Sequence, residues 1–588
     1  MTSKPYLTIW AELWHSKILV SLALTLLVCS VLLWYRRRWP ERWRSLVESF
    51  RRLSERRGIC IVAVALAPVS MRLALVPWLP PCEPFIADEF GHLLVADTIL
   101  HGRLANPPHP LRRHFETIHV LQEPAYASKY PLGQGLVLAA GRLLFGHPWA
   151  GVLLAVALMG GALTWALYAM LPAPWAVLGG LMGALHLGLK PWWSCSYWGG
   201  AFAAFAGALT FGALWRLTAR PQARMALVAG LGWSLVWLVR AYESLLLAAL
   251  LWGLLLWRIL RRPAERRQWS RCLVAAGLPT LAVFGVTLLH NDRVTGSPWV
   301  LPYQHAQRRI GVPQSFVFQP SVPKPPKLTP AQESEYESGR RQHQWARENW
   351  VQHVIQILQL GVGFYGHLFF LAALVGFLWL PRHGVVRTHS VILLVMILLA
   401  SLYVYFFPHY VAPYAPVMLL LLTLGLSQLP TGLWPRAGAG LVLASFAVVG
   451  GIIDPLVRNA PVRAFTEGLN YNANLRAEVQ RRIAATGGRH VIVVRYTKDH
   501  DFHYEWVYNL AEVDASPVIW ARYIDREALD ELTTYYRGRC FWWAEVKGQE
   551  GVKLQRLPLP PEWAARASCP PGAFQRLELD WEAIRRLR

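Results

Sequence analysis

Long apolar runs set the pattern of this chain. Blocks almost free of charge lie at about 18–34, 58–80, 149–171, 173–190, 199–216, 225–240, 243–260, 272–290, 351–380, 390–407, 411–428 and 434–452. Most approach the roughly 20 residues that a helix needs to cross a hydrocarbon core. They predict about twelve spans. Transmembrane β-strands would instead alternate apolar and polar positions over about 10 residues, and the blocks do not. One further apolar stretch, 131–146, conflicts with this count. If it crossed, every later loop would change sides. It is therefore read as a short interfacial or re-entrant helix.

The tail has a different rhythm. HVIVVRY (490–496), SPVIWARY (516–523) and RCFWWAEV (539–546) read as strands, and about 525–537 reads as a helix between the last two. Strands alternating with helices predict a small α/β domain over 455–588. It lacks a GxGxxG loop after a strand, so a dinucleotide fold is not expected. Proline-rich SVPKPPKLTP (321–330) reads as extended loop.

Composition agrees with the pattern. Of 588 residues 54% are hydrophobic and only 16% charged, against about 25% charged in ordinary soluble domains. A soluble enzyme, a disordered chain and a small disulfide scaffold are excluded. The net charge is +24. Its arginines sit mostly in short loops, which points to membrane topology rather than to a nucleic-acid partner. Segment 36–57 holds nine Arg and three Glu. By the positive-inside rule it is cytoplasmic, as are 216–224, 258–271 and 382–387. That puts 81–130, 194–200, 240–243, 291–350, 408–411 and the tail on the outer side. Three regions result: an N-terminal span with its basic segment (1–57), a transmembrane domain with outer loops 81–130 and 291–350 (58–454), and an extracytoplasmic α/β domain (455–588). The expected location is the cell's inner (plasma) membrane.

Seven cysteines show no zinc spacing. Cys29, Cys60, Cys195 and Cys272 lie in or beside apolar blocks and read as packing residues. Cys82, Cys540 and Cys569 lie in polar segments, and a Cys540–Cys569 disulfide suits an oxidising compartment.

The first outer loop carries the densest chemistry. Asp88 and Glu89 follow a span end by about eight residues. Adjacent acids there suit a general base or a metal ligand; they also suit the first turn of a helix. His92, one helical turn after Asp88, would share its face. A divalent metal on that pair lacks an evident third ligand. Arg112, Arg113 and His114 form a basic cluster suited to a donor phosphate or to lipid head groups. Arg240 and Glu243, at a junction of two blocks, are site candidates or each other's ion pair. Trp198, in SYWGG, suits a stacked sugar or an interfacial belt. In the tail, His500, Asp501, His503 and Glu505 read as a metal or carbohydrate site or a solvated turn.

ADEFGHLLVADTILHGRL (87–104), SKYPLGQG (128–135), RLLFGHPWAG (142–151) and HYVAPYAP (409–416) together resemble the GT-C glycosyltransferases. The protein O-mannosyltransferase-like (glycosyltransferase family 39-like) and aminoarabinose-transferase-like members are nearest. The likeness covers about 81–450 in layout and some 50 residues in motif. It implies a GT-C-like membrane enzyme. Such an enzyme moves a sugar, usually with inversion, from a polyprenyl-phosphate donor to an outer-face acceptor: a membrane lipid, a polysaccharide or a protein. Asp88 would be the base and Glu89 its partner, or the reverse. Lys129, in Lys-Tyr-Pro where the motif has Lys-Pro-Pro, would contact the donor phosphate together with His409 and Tyr410. A flippase or transporter of lipid-linked saccharides, a saccharide ligase and a non-enzymatic assembly protein are the competing readings.

Overall fold

The computed structural model describes residues 30–31, 34–77, 80–311, 315–365, 384–427, 474–497, 500–547, 551–557, 569–570 and 575–580. The chain is a multi-pass helical membrane protein carrying a small sheet domain. Arginine-rich α1 (Pro40–Glu55) leads into α2 (Arg57–Ala74). A polar segment follows, with α3 (Ala87–Leu100) and the hairpin β1 (Val120–Leu121) and β2 (Ala127–Ser128). Then come α4 (Leu132–Phe145), α5 (Pro148–Leu167), α6 (Ala173–Gly188), α7 (Gly200–Ala219), α8 (Ala223–Trp237), α9 (Ser244–Arg261) and α10 (Arg266–Thr295). Helices α11 (Pro302–Ile310) and α12 (Pro330–Glu348) form a second polar segment. The membrane part resumes with α13 (Trp350–Tyr365), α14 (Gly384–Leu402) and α15 (Ala415–Ser427).

Among the described residues six helices are long and apolar enough to cross a membrane: α2, α5, α7, α9, α10 with the turn before it, and α14. Four shorter apolar helices accompany them, at Leu132–Phe145, Ala173–Gly188, Ala223–Trp237 and His409–Gly425. The expected count of twelve is not confirmed: most of 18–34, all of 434–452 and half of 351–380 fall outside the described residues. Stretch 131–146 is helix α4, whose 14 residues rise about 21 Å, short of a full crossing. Helices α5 and α7 are 72% and 78% buried over their apolar windows, against 17–22% for the other four. They form the centre, and the others turn their outer faces toward lipid. Small residues permit the close crossings. A Cβ on Gly151 would lie 2.2 Å from the Val137 carbonyl of α4, and one on Gly207 would lie 2.0 Å from that of Pro413.

In the tail, α16 (Leu475–Ala485) precedes β3 (His490–Tyr496), β4 (Val518–Arg522), α17 (Arg526–Tyr535), β5 (Cys540–Lys547), β6 (Gly551–Arg556) and β7 (Arg576–Asp580). The sheet order is β4-β3-β5-β6-β7; β3 is parallel to β4 and β5, while β6 and β7 add antiparallel strands. One face of the sheet packs on α16 through Ile492, Trp520 and Trp542. The other shares a single core with the first polar segment: Phe90, Leu94 and Phe115 pack with Val491, Ile519 and Leu532. Backbone links reinforce this seam. Tyr508 Oη donates to the Ile118 carbonyl (2.9 Å), Tyr126 Oη to that of Asn509 (2.8 Å), and Ala511 N–H to Asp97 (2.9 Å). The expected boundary near 455 lies outside the described residues.

Among the described residues two disulfides are present, Cys540–Cys569 and Cys82–Cys195. The second corrects the reading of Cys195 as a packing residue. Its apolar neighbourhood hid that Tyr197 hydrogen-bonds the Cys82 carbonyl at 2.7 Å and brings the two loops together. Cys60 and Cys272 are buried and free. Peptide mapping under non-reducing conditions is expected to recover both linkages and unpaired Cys60 and Cys272; a different pairing contradicts the fold.

Candidate active site

The loops that charge patterning puts on the outer side converge on one cavity of about 1210 Å³. Its walls are the start of α3, the β1–β2 hairpin, segment 192–199, the α8–α9 junction, α11, α12, residues 403–410 and the turn 501–504 of the sheet domain. Asp88, His92, Lys129, Trp198, Arg240, Glu243, His409 and Tyr410 all line it.

The acid pair is split by the helix it begins. Glu89, fully buried, accepts the backbone N–H groups of Phe85 (2.8 Å), Ile86 (3.2 Å) and Tyr197 (3.0 Å). Burial pushes its carboxyl up to about 7, against those N–H groups. It fixes the α3 start to the 194–199 segment and does not line the cavity. Asp88, one residue earlier, points the other way and keeps 37% of its side chain exposed. Its Oδ1 accepts the Tyr130 hydroxyl at 2.5 Å, and Oδ2 lies 3.8 Å from His119 Nε2. Burial opposes its charge, but His119, the Tyr130 hydroxyl, Lys129 and His503 outweigh it and hold the carboxyl well below the usual carboxylate range. Burial, with Lys129 next to it, keeps His119 itself neutral, so we ascribe the ionisation of Asp88 chiefly to Tyr130 and Lys129.

Lys129 is clipped to the hairpin, its N–H on the His119 carbonyl at 3.0 Å. Its ammonium lies 4.8 Å from the Tyr303 ring and 5.5 Å from that of Tyr130. Arg240 lies 4.0 Å over the Tyr410 ring. His409 stacks on Trp198 at 5.0 Å, and Trp198 meets Trp192 at 4.6 Å. His92 stacks on Tyr130 at 4.4 Å; burial lowers its imidazole to about 3, so it stays neutral. Glu335 of α12 completes the wall, its Oε1 3.9 Å from His119 Nδ1; burial raises its carboxyl, against Lys129 and His503. Several buried polar atoms on this wall have no hydrogen-bond partner among the described residues: His92 Nδ1, His119 Nδ1, Trp198 Nε1, His409 Nδ1 and Glu335 Oε2. Native interiors rarely leave such groups unpaired, so the wall is suited to a polar ligand.

Other candidates lie elsewhere. Arg112 and Arg113 are exposed, Arg112 on Glu123 at 2.9 Å, and His114 is buried against the Arg522 and Ala528 carbonyls. The tail cluster divides: Asp501 and His503 reach the cavity, His500 stacks on Tyr496, and Glu505 pairs with Arg522 inside the sheet domain. Among the described residues no three His, Cys, Asp or Glu side chains gather to hold a metal ion. Sequence reasoning missed Tyr130, His119, Glu335 and Tyr303. Tyr130 had a visible signal: it occupies the place where the resembled motif has proline. His119 and Glu335 had none, because the hairpin and α12 meet only in three dimensions.

Fold and cavity define a multi-pass membrane protein with a chamber between span ends and a sheet domain. No family model and no curated protein matches the chain. Among solved structures it is similar to ArnT from Cupriavidus metallidurans bound to undecaprenyl phosphate (13% identity, 83% of this chain and 92% of that one, TM-score 0.45). It is similar also to ArnT in the apo state (12%, 88% and 98%, 0.44). A third is the oligosaccharyltransferase of Archaeoglobus fulgidus tethered with an acceptor peptide containing the NVT sequon (12%, 74% and 61%, 0.40). At TM-scores below 0.5 the function is sought in the cavity's own residues.

The two acids should separate experimentally. Glu89→Ala strips three buried N–H groups of their acceptor and should cost roughly 3 kcal/mol of stability; Asp88→Asn should leave the thermal midpoint in detergent near wild type. Because the Glu89 carboxyl is raised on folding, its stabilisation is full below about 4.5 and is lost as pH rises through about 7. The midpoint gap between wild type and Glu89→Ala should therefore narrow from pH 4.5 to pH 8. Equal effects of the two substitutions would refute the division of labour.

Proposed function

We propose that the protein is a membrane glycosyltransferase that moves a sugar from a polyprenyl-phosphate donor to an acceptor hydroxyl on the extracytoplasmic face, with inversion. One observation carries the reading: an ionised carboxylate, Asp88, and two cations, Lys129 and Arg240, share one chamber at the outer span ends. The reaction needs both charges. The acceptor oxygen attacks the anomeric carbon while the bond from that carbon to the phosphate oxygen breaks. The electron pair leaves on the phosphate, where positive charge stabilises it. The acceptor proton passes to the Asp88 carboxylate.

Lys129 supplies a point charge for the leaving phosphate, and Arg240, His409 and Tyr410 line the same chamber. The apolar residues Trp237, Leu238 and Leu245, which also line the cavity, suit the first prenyl units. Glu89 acts through Asp88 by fixing the turn that aims it. The sheet domain closes the chamber opposite the span ends with 501–504 and keeps bulk water from hydrolysing the donor. A flippase reading is weaker, since transporters set their ionisable residues near the bilayer midplane between repeated halves, whereas these lie in outer loops.

Purified protein in detergent, given a panel of radiolabelled polyprenyl-phosphate sugars and a membrane-lipid extract as acceptor, should release polyprenyl phosphate from one of them. Asp88→Asn should lower that rate by on the order of 10²–10⁴-fold with donor affinity kept. Lys129→Gln should weaken donor binding about tenfold. Donor binding without turnover in the wild type would favour a flippase; binding of no donor would end the transferase reading.

A further inference from the structure

A carboxylate base has two oxygens, and the wall around Asp88 treats them differently. Oδ1 accepts the Tyr130 hydroxyl at 2.5 Å. Oδ2 accepts no hydrogen bond among the described residues; His119 Nε2, at 3.8 Å, is too far for one. The tyrosine is itself firmly placed. Its N–H donates to Ser128 Oγ at 3.2 Å, and the Lys129 N–H before it donates to the His119 carbonyl at 3.0 Å. The hairpin thus fixes where the side chain begins. Its ring stacks on His92 at 4.4 Å and 29°, and meets the His119 ring edge-on at 5.7 Å.

Helix α3 is shaped to receive that ring. Positions 88, 91 and 92 are three and four apart and share one face. They present a carboxylate, a glycine and an imidazole. A Cβ on Gly91 would lie 2.8 Å from Tyr130 Cδ2 and 3.0 Å from Cε2, so the glycine supplies the space that the ring occupies. A proline at 130 would have no hydroxyl to offer Asp88. The contact therefore belongs to the Lys-Tyr-Pro of this chain.

We infer that Tyr130 is the positioning residue of the base: by holding Oδ1 it leaves Oδ2 as the oxygen that takes the acceptor's proton, and Gly91 admits the ring that does so. In the step, the acceptor oxygen bonds the anomeric carbon and the bond from that carbon to the phosphate oxygen breaks. The acceptor's O–H bond breaks too, and its proton passes to Oδ2. Tyr130 keeps its own proton, since burial and then the Asp88 charge push the phenol well above its usual range. Burial works against the Asp88 charge, and the Tyr130 hydroxyl is among the groups that outweigh it. The titratable groups facing Asp88 are Glu89 and His92 of α3, His119 and Lys129 at the hairpin, Glu335 of α12, His409 and Tyr410, and His503 and Tyr508 of the sheet domain.

The destination of the proton rests on the transferase reading, but the contact can be read without turnover. Infrared difference spectra of the full-length protein in detergent at pH 7, wild type against Asp88→Asn, isolate the Asp88 carboxylate stretch. Tyr130→Phe keeps the ring and its stack on His92 and removes only the hydroxyl; it should displace that band. With a consumed donor, Tyr130→Phe should lower kcat about 10–100-fold and leave the donor KM unchanged. It should also move the acid limb of the pH profile upward by about 1–2 units, because a hydrogen bond that favours the charged carboxylate is gone. Gly91→Ala touches no hydroxyl, and alanine favours the helix. It should displace the band and the acid limb in the same direction, as its methyl group pushes the ring away.

A Tyr130→Phe enzyme with the kcat and pH profile of wild type, or with an unmoved carboxylate band, would overturn the inference, since a merely structural ring survives in that variant. Weakened donor binding at unchanged kcat would make Tyr130 a donor ligand and overturn it as well. A displaced band in a protein that consumes no donor would retain Tyr130 as the group that orients Asp88 and sink the transferase reading instead.

Discussion

The Glu89 carboxylate, bonded to the N–H groups of Phe85, Ile86 and Tyr197, ties the first turn of α3 to the segment that carries Trp198. The Cys82–Cys195 disulfide and the Tyr197 bond to the Cys82 carbonyl close the same junction covalently and by hydrogen bond. With Glu89 turned inward, successive positions on the helix turn Asp88 toward the cavity. A buried carboxylate with three backbone donors permits little slack. That rigidity is what a base needs, because small displacements at a reacting centre cost large factors in rate.

A second constraint follows from the first. The polar segment that holds α3 and the hairpin is too short to build its own core, so it borrows one. Phe90, Leu94 and Phe115 are buried only because the sheet domain supplies Val491, Ile519 and Leu532. The sheet domain thus supports the helix that carries Asp88 and also gives Asp501 and His503 to the chamber. Charge then divides the interior. Lys129 and Arg240 sit against tyrosine rings, which stabilise a cation without neutralising it, so their charge remains directed at a ligand. Asp88 keeps its charge through Tyr130 and Lys129. The opposite charges stay apart instead of collapsing into an ion pair.

Much of this was legible in the chain because membrane proteins announce themselves by run length and by arginine placement. Those two signals alone placed 81–130, 194–200, 240–243 and 408–411 on one side, and the cavity is built from these loops. The strands of HVIVVRY, SPVIWARY and RCFWWAEV were legible from β-branched and aromatic content, whereas β6 and β7, polar and separated by a long insertion, were not. What stayed hidden was direction and partnership. Asp88 and Glu89 are adjacent letters with the same chemistry, and only the helix start decides which one faces the cavity. His119 and Glu335 are more than 200 positions apart, joined by a hairpin and α12 that no local pattern relates. Cys195 looked like packing because its neighbours are apolar, and no periodicity shows that a loop 113 residues earlier returns to it.

The most direct check is a structure of the detergent-solubilised protein determined with polyprenyl phosphate bound. The transferase reading predicts phosphate density in the chamber within hydrogen-bonding reach of the Lys129 ammonium, with the prenyl chain leaving past Trp237, Leu238 and Leu245. Phosphate density seated only on the exposed Arg112 and Arg113, or an empty chamber at saturating lipid, would contradict it.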